Sequence, residues 1–416
     1  AARGRRAAPP SPQRPAGHPA QGGLALARVL LAIDSLQLGG AERHVVDLAT
    51  ALRDRGNDVG VACSAAGPLA EELRARRIRL HVLAPSCVKR RTSLRYAHEL
   101  RRLVRRERPD VVHAHLYASG VAAAFATFVT GIPLVVTEQT EAPWRSARAR
   151  LTSRFVYRRA AAVIAVSNAI RDVLLTRYGV PAERVRIVRN SVRPMPAASV
   201  ARNGPTVGAI ARLHPEKGLT FLLDAAPRIA ALVPDVRFVI VGEGPLRDEL
   251  EAHAARTGIA DRIRFEGGRD DARELIAGFD VLALPSISEG TPLTIVEAML
   301  AEIPVVASAV GGIPEQIEDR RTGFLVPPCD AESLATATVA ALTDDPLVQR
   351  VRRAARAHAE VEFSHARMVE RIAALYREVR ASSDAASTPQ RAALEEPETT
   401  RAVQAPNLGY GSQPPG

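Results

Sequence analysis

Two glutamates lie in a segment that otherwise carries no charge. They are Glu289 and Glu297, separated by seven residues in SISEGTPLTIVEAML, residues 286–300. Thr291 is a good N-cap and Pro292 a good first helical residue, so we expect a loop and then a helix that begins there. Helix rise places the two carboxylates roughly 10 Å apart, too far to share a proton but suited to holding both ends of an extended ligand.

The start of this predicted helix would bind an anion, because the first four N–H groups of a helix lack backbone partners and lie at its positive end. A sugar at Glu289, a diphosphate on the amides of residues 291–294 and a ribose at Glu297 would fit this order along the chain. The alternative is that both carboxylates are simply solvated.

Two pairs of glycines lie between a predicted strand and a predicted helix. They are Gly39 with Gly40, and Gly242 with Gly244. Glycine lets the backbone approach a ligand closely, and the helix start that follows favours a phosphate. Gly39-Gly40 does not fit the dinucleotide fingerprint G-x-G-x-x-G, and a tight strand-to-helix turn is the alternative there. Gly242-x-Gly244 resembles half of that fingerprint, so a dehydrogenase is the alternative for this pair.

A pair of cations five residues apart, Arg212 and Lys217, lies in another turn after a predicted strand. Arginine binds phosphate through a fork of N–H groups and lysine as a point charge, so the pair would neutralise a diphosphate. Lys217 is one of only two lysines beside 54 arginines, which indicates a position that needs a compact ammonium group. Two ordinary surface cations are the alternative.

The predicted strand DVVHAH, residues 110–115, ends in His113 and His115, which alternation places on one face. The carboxyl end of a strand is a typical position for a site residue, and a core histidine is the alternative. No third and fourth ligand are evident in the sequence, so we predict no metal site.

Around these residues, short apolar runs alternate with amphipathic stretches, which predicts an α/β protein with parallel sheets covered on both faces. A Pro-rich break divides the pattern into two doubly wound Rossmann-like domains that face each other across a cleft. The predicted parts are a disordered N-terminal segment (1–26), an N-terminal domain (27–193), a linker (194–205), a C-terminal domain (206–362), a terminal helix (363–380) and a disordered tail (381–416).

Composition narrows the class of protein. The net charge is +11, but arginine dominates throughout, so we attribute the charge to compositional bias and predict no nucleic-acid partner. Three cysteines lie far apart without a C-x-x-C pair, which argues against a zinc site or a disulfide framework and favours a reducing cytoplasm.

No signal peptide is recognisable. The uncharged run 116–137 contains Gly and Pro and is interpreted as a buried helix, a turn and a strand.

Two stretches of the predicted N-terminal domain are rich in arginine. Residues 95–108 hold six Arg against two Glu, and residues 145–159 hold six Arg and no acidic residue. One hypothesis is docking on an anionic membrane that carries a lipid-linked acceptor, with 145–159 as the stronger candidate. The protein would then be cytoplasmic and peripheral on the cytoplasmic membrane face. The alternative is two solvated helix faces.

In their order and spacing these segments resemble the family 4 glycosyltransferases, which have the GT-B fold. The resemblance covers about residues 27–380 and rests on GGAERH (39–44), DVVHAH (110–115), ARLHPEKG (211–218), VGEGP (241–245) and SEGTPLTIVEA (288–298), followed by GGIPEQI and TGFLVPP. The chain departs from the family pattern at Ala211, where glycine is frequent, and at Ser191, where Asn-Gly-Val is usual.

The resemblance implies a retaining, metal-independent transfer from a GDP- or UDP-linked sugar to a glycan or lipid-linked acceptor, in cell-envelope polysaccharide or glycolipid synthesis. It implies no cofactor, no enzyme nucleophile, an acceptor site on the first domain and a terminal helix that returns to that domain. A nucleotide-sugar 2-epimerase of the same fold and a non-catalytic nucleotide- or sugar-binding module are the alternatives.

The resemblance also implies roles for individual residues. Glu289 would contact the hydroxyls of the donor sugar, Glu297 the ribose, and Arg212 and Lys217 the diphosphate. The catalytic positions are then His115, Arg212, Lys217 and Glu289, and the donor-binding positions are Gly39, Gly40, Arg212, Lys217, Gly242, Glu289, Gly290, Thr291, Pro292, Leu293 and Glu297.

Overall fold

A computed structural model describes residues 27–84, 93–140, 145–193 and 204–392, with only the backbone of 386–392. The predicted N-terminal segment, 1–26, lies outside the described residues. So do residues 194–203 of the predicted linker and the part of the predicted tail after residue 392.

The N-terminal domain is built on a parallel sheet. Its strands are β1 (Arg28–Ser35), β2 (Asp58–Ala65), β3 (Arg79–Val82), β4 (Val111–His115), β5 (Leu134–Glu138), β6 (Ala162–Ala165) and β7 (Val185–Ile187). Its helices are α1 (Gly40–Asp54), α2 (Leu69–Ala75), α3 (Leu94–Glu107), α4 (Tyr117–Thr127), α5 (Ala147–Arg159) and α6 (Asn168–Thr176). The strand order is β3-β2-β1-β4-β5-β6-β7.

The C-terminal domain repeats this plan. Its strands are β8 (Thr206–Ile210), β9 (Arg237–Val241), β10 (Ile263–Gly267), β11 (Val281–Leu284), β12 (Val305–Ser308) and β13 (Phe324–Val326), in the order β10-β9-β8-β11-β12-β13. Its helices are α7 (Leu219–Leu232), α8 (Arg247–Arg256), α9 (Ala272–Leu275), α10 (Leu293–Leu300), α11 (Ala331–Thr343) and α12 (Asp345–Glu362), and α13 (His365–Ala392) follows. Two doubly wound sheets of this kind confirm the predicted α/β fold class.

The strand sequences explain why both sheets are covered on both faces. Every residue of β4, β5 and β11 is buried, so these strands show no alternation between an apolar and a polar side. Each domain accordingly has two apolar cores, one on either face of its sheet. Continuous apolar runs of this kind are typical of central strands in parallel sheets.

The winding of each sheet reverses at one point. β1 pairs with β4 in the first sheet, and β8 pairs with β11 in the second. The loops that leave the carboxyl ends of these four strands therefore start side by side, where doubly wound sheets bind their ligands. All four residues predicted to be catalytic lie at these strand ends or in these loops.

The last helix, α13, packs on the N-terminal domain although it follows the C-terminal one. Its buried apolar residues belong to the core that contains β1 and α1; they are Met368, Val369, Ile372, Leu375, Tyr376 and Val379. The helix extends to Ala392, so the boundary predicted at residue 380 is wrong. Residues 381–388 contain neither Gly nor Pro and are rich in alanine, the strongest helix former, which allows the helix to continue.

The uncharged run 116–137 forms α4, a turn and β5, as predicted. The helix is not buried throughout, because Phe125 and Phe128 at its C-terminal end are 46% and 53% exposed. In the part of the chain that the structure describes, no helix combines the length and the apolar character needed to cross a membrane.

We expect Ile372→Ala to destabilise the N-terminal domain by about 2–5 kcal/mol, because it deletes buried methyl groups and leaves a cavity. Ile372 is 1% exposed and lies in the core shared by α13 and β1. Chemical unfolding of the full chain checks this, with Glu370→Ala at an exposed position of α13 as the control. Equal unfolding midpoints for the two variants would show that α13 is not part of the domain core.

Candidate active site

The carboxyl ends of the two sheets face each other at close range. A Cβ atom on Gly290, in the loop after β11, would lie 2.0 Å from the carbonyl oxygen of Gln139, just after β5. A Cβ atom on Gly40 would lie 3.9 Å from Cδ1 of Leu293, so the start of α1 faces the start of α10. Gly40, Gly290 and Leu293, all predicted to bind a donor, therefore lie at the boundary between the two domains, which we call the interdomain cleft.

Lys217 and Glu289 form an ion pair in this cleft. Nζ of Lys217 lies 2.6 Å from Oε1 of Glu289, and the Ser286 hydroxyl donates to the same oxygen at 2.8 Å. The two charged side chains are only 16% and 10% exposed. Two separate segments, 72 residues apart in the chain, thus place a cation and a carboxylate at the adjacent carboxyl ends of β8 and β11.

Arg212 lies in the same loop as Lys217 but has a different partner. Its Nη2 donates to Glu216 at 3.1 Å, and its side chain is 42% exposed. Arg212 is therefore accessible to solvent, and its guanidinium has further N–H groups for a second anion.

Gly242 is required by backbone packing. A Cβ atom there would lie 1.9 Å from the carbonyl oxygen of Ala211, and Gly242 has φ +142°. The loop after β9 thus lies directly against the loop that carries Arg212. The glycine positions the cation-bearing loop, whether or not Gly242 also touches a ligand.

The start of α10 differs from the sequence-based prediction. The helix begins at Leu293, Pro292 takes the N-cap position, and among the described residues no side chain caps the helix. Thr291 lies one residue before the N-cap, and its hydroxyl accepts a hydrogen bond from Nδ2 of Asn190 at 3.1 Å, across the domain boundary. The N–H groups at the start of α10 therefore have no side-chain cap.

Glu297 is buried rather than open to solvent. Its Oε1 lies 2.8 Å from Nε of Arg273, whose Nη1 lies 4.0 Å from Oδ2 of Asp47 on α1. Burial raises the pKa of Glu297 and of Asp47, while Arg273 acts in the opposite direction on both. One arginine of the C-terminal domain thus lies between a carboxylate of its own domain and one of the other domain.

The two histidines of β4 have different surroundings. Both ring nitrogens of His113 are hydrogen-bonded, Nδ1 to Tyr376 of α13 at 2.6 Å and Nε2 to Thr137 at 2.7 Å. Burial lowers the pKa of His113 to about 3, so its ring is neutral and joins β4 to α13. His113 therefore has a structural role.

His115 is fully buried, and its ring centroid lies 4.1 Å from that of His113. Within the described residues neither of its ring nitrogens has a hydrogen-bond partner, and the same holds for His44 of α1. Burial lowers the pKa of His115 well below the usual value, so the ring is neutral. The structure places His115 at the correct strand end but behind the cleft surface.

Glu315 joins the domains and was not singled out from the sequence. Its carboxylate accepts hydrogen bonds from the backbone N–H groups of Asn168 and Ala169, both at 2.9 Å, at the start of α6. The Asn168 side chain adds a third bond at 2.8 Å. The only signal was the position of Glu315 within GGIPEQI, which does not reveal that a helix start of the other domain lies opposite.

Comparison with known proteins agrees with this architecture. The family model described as Glycosyltransferase Family 4 matches residues 38–194, and the model described as Glycosyl transferases group 1 matches residues 204–344. The chain is 31% identical over 386 residues to an alpha-maltose-1-phosphate synthase of Mycolicibacterium smegmatis, covering 82% of this chain and 96% of the relative. The chain belongs to the family 4 glycosyltransferases. It is a glycosyltransferase enzyme with the GT-B fold.

Two further relatives extend the comparison of this family 4 glycosyltransferase. A phosphatidyl-myo-inositol mannosyltransferase of Mycobacterium leprae is 30% identical over 339 residues, which cover 75% of this chain and 86% of that protein. The crystal structure of Anabaena HepE in complex with UDP-glucose superposes with a TM-score of 0.73 at 26% identity, covering 84% of this chain and all of HepE.

We expect Glu315→Ala to open the cleft of this glycosyltransferase, because the first turn of α6 loses its anionic acceptor. Loss of such a capping interaction costs about 1–2 kcal/mol. Small-angle X-ray scattering would then show a larger radius of gyration, while Glu318→Ala, whose carboxylate pairs with nearby Arg321 of the same domain, leaves it unchanged. An unchanged radius for Glu315→Ala would mean that other contacts hold the domains together.

Proposed function

We propose that this glycosyltransferase takes a sugar from a nucleotide-sugar donor and transfers it, with retention of configuration and without a metal ion, to a glycan or lipid-linked acceptor. The observation that carries the proposal is the Lys217–Glu289 pair at the adjacent carboxyl ends of β8 and β11. The carboxylate accepts hydrogen bonds from the sugar hydroxyls, and the ammonium group lies where the leaving diphosphate develops its charge.

The two cations of the β8–α7 loop replace the charge that a metal ion would supply. Lys217 is held at 2.6 Å from Glu289, and Arg212 is exposed on the same loop. Preorganised cations in a cleft of restricted solvent access stabilise developing negative charge without reorganisation during the reaction. The uncapped N–H groups at the start of α10 add a third electropositive element beside Glu289.

Glu297 is proposed to bind the ribose of the donor. Its pairing with Arg273 supports this role, because a buried carboxylate needs a cation to stay ionised and to accept hydroxyl hydrogen bonds. Uridine diphosphate is the first nucleotide to test, since UDP-glucose is bound by HepE, and guanosine diphosphate is the second. We propose that the acceptor binds to the N-terminal domain. A lipid-linked acceptor is supported by the similarity to a phosphatidyl-myo-inositol mannosyltransferase.

We expect the matching nucleotide to stabilise the chain against thermal unfolding. A ligand at about a hundred times its dissociation constant contributes about 2.7 kcal/mol. The stabilisation should survive EDTA, because protein cations hold the diphosphate, and Arg212→Gln should weaken it. If neither nucleotide raises the unfolding midpoint, or if EDTA abolishes the effect, metal-independent donor binding is wrong.

We expect Glu289→Gln to lower kcat about 10²–10³-fold, the effect of removing one preorganised electrostatic contact. The amide keeps the size of the side chain but leaves Lys217 without its counter-charge. The matched control is Glu302→Gln, whose carboxylate is 47% exposed and pairs with Arg356. Unchanged turnover in Glu289→Gln would exclude the pair from the reaction.

The product of the same assay tests the stereochemistry. Nuclear magnetic resonance of the anomeric centre is expected to show the configuration of the donor. Release of nucleotide should depend on added acceptor, whereas a nucleotide-sugar 2-epimerase would convert the donor without one. An inverted anomeric centre would overturn the retaining mechanism while leaving the donor site intact.

A further inference from the structure

Large apolar side chains are exposed on one side of the N-terminal domain. Five of the ten exposed large apolar residues within the described ranges lie between positions 125 and 155. They are Phe125 (46% exposed), Phe128 (53%), Val129 (60%), Leu151 (70%) and Phe155 (49%). Scattered apolar residues are normal on a protein surface, but a cluster of this kind marks an interaction site.

These side chains belong to one continuous surface. α4 packs between α3 and α5. The guanidinium of Arg101 on α3 lies 5.3 Å from the ring centre of Phe125, and that of Arg159 on α5 lies 5.0 Å from that of Phe128. Leu151, Phe155 and Arg159 follow one another at four-residue intervals, so they share one face of α5. We call the surface formed by the exposed face of α5, the C-terminal end of α4 and the adjoining residues 128–129 the Arg–Phe surface.

The charge of this surface is positive and uncompensated. α5 has no acidic residue, and its arginines are all exposed; they are Arg148, Arg150, Arg154, Arg158 and Arg159. Within the described part of the chain, no carboxylate lies within ion-pair distance of any of them. By contrast, α3 neutralises part of its charge internally, because Arg95 pairs with Glu99 and Arg106 with Glu107.

One arginine of the predicted membrane stretch does not contribute. Arg145 is 6% exposed, lies 2.8 Å from Glu138 and donates to the hydroxyl of Tyr157 at 2.8 Å. A buried carboxylate requires this cation, so Arg145 is part of the domain interior. Within the stretch 145–159, only α5 therefore contributes to the exposed surface. The exposed apolar residues at the end of α4 could not be found by counting arginines.

We propose that the Arg–Phe surface docks the protein on an anionic lipid bilayer. Exposed apolar side chains flanked by unpaired arginines match the headgroup region, where arginine binds phosphate and the apolar groups leave water. Nucleic acid is the less suitable partner, because base stacking would use the Phe rings but leave the aliphatic Val129 and Leu151, which are 60% and 70% exposed, in water. The inference deepens the proposed function, since it brings the enzyme to a lipid-linked acceptor.

The position of the surface agrees with an enzyme that works while docked. α4 starts next to His115 at the cleft edge of the sheet and runs back along it, so Phe125, Phe128 and Val129 lie at the end remote from the cleft. α5 likewise starts after β5 and returns to β6. Docking through these two helices covers the side of the domain and leaves the cleft open to the donor.

Vesicle sedimentation of the full chain tests the proposal without any donor or acceptor. Vesicles of phosphatidylcholine alone are compared with vesicles that contain an equal amount of phosphatidylglycerol. Arg158→Gln combined with Arg159→Gln is expected to lower partitioning to the anionic vesicles about thirtyfold, since each arginine near such a surface contributes about 1 kcal/mol. Phe128→Ser combined with Phe155→Ser is expected to lower it about tenfold or more, through lost apolar burial.

The charge control is Arg350→Gln combined with Arg353→Gln, two exposed positions of α12 on the other domain. Thermal stabilisation by nucleotide is measured on every variant and reports folding and donor binding. A loss of this stabilisation would count against the proposed function alone and not against membrane docking. Equal binding to both kinds of vesicle, or equal losses in the α12 control, would overturn the proposal. The proposal would also be overturned if single-stranded nucleic acid displaced the protein from the vesicles and did so by binding the same arginines.

Discussion

A carboxylate placed at the boundary between two domains must have a cation or a set of N–H groups beside it, because burying an uncompensated charge costs more than the fold can supply. Three glutamates of the C-terminal domain meet this requirement in three ways. Glu289 is paired with Lys217, Glu297 with Arg273, and Glu315 with the first N–H groups of α6. The cleft is organised around these three pairings.

The three pairings differ in what they connect. The Lys217–Glu289 pair joins two loops of one domain and places a cation beside an acceptor of hydrogen bonds. Glu315 connects the two domains directly. Arg273 does both, since it pairs with Glu297 and lies 4.0 Å from Asp47 of the other domain. Donor binding at Glu297, as proposed, would therefore be coupled by electrostatics to the relative position of the domains.

Arginine has at least three different functions in this chain, and its count distinguishes none of them. Arg145 is a counter-charge in the interior, Arg273 a bridge at the domain boundary, and the arginines of α5 are exposed beside apolar side chains. Burial and the distance to a carboxylate decide the role in each case. A net charge of +11 therefore says less than the location of the arginines that have no carboxylate partner.

The sequence alone determined the two doubly wound domains, because apolar runs alternating with amphipathic helices are a local pattern. It also brought Lys217 and Glu289 into one hypothesis, since both follow strands, and the carboxyl ends of parallel strands in one sheet meet at one edge. It did not reveal Arg273, Glu315, the exposed end of α4 or the burial of His115 and Arg145. Each of these depends on a partner distant in sequence, such as Glu138 for Arg145 or the start of α6 for Glu315. Only the tertiary structure decided them, because the charge, solvent access and pKa of a side chain depend on what packs against it.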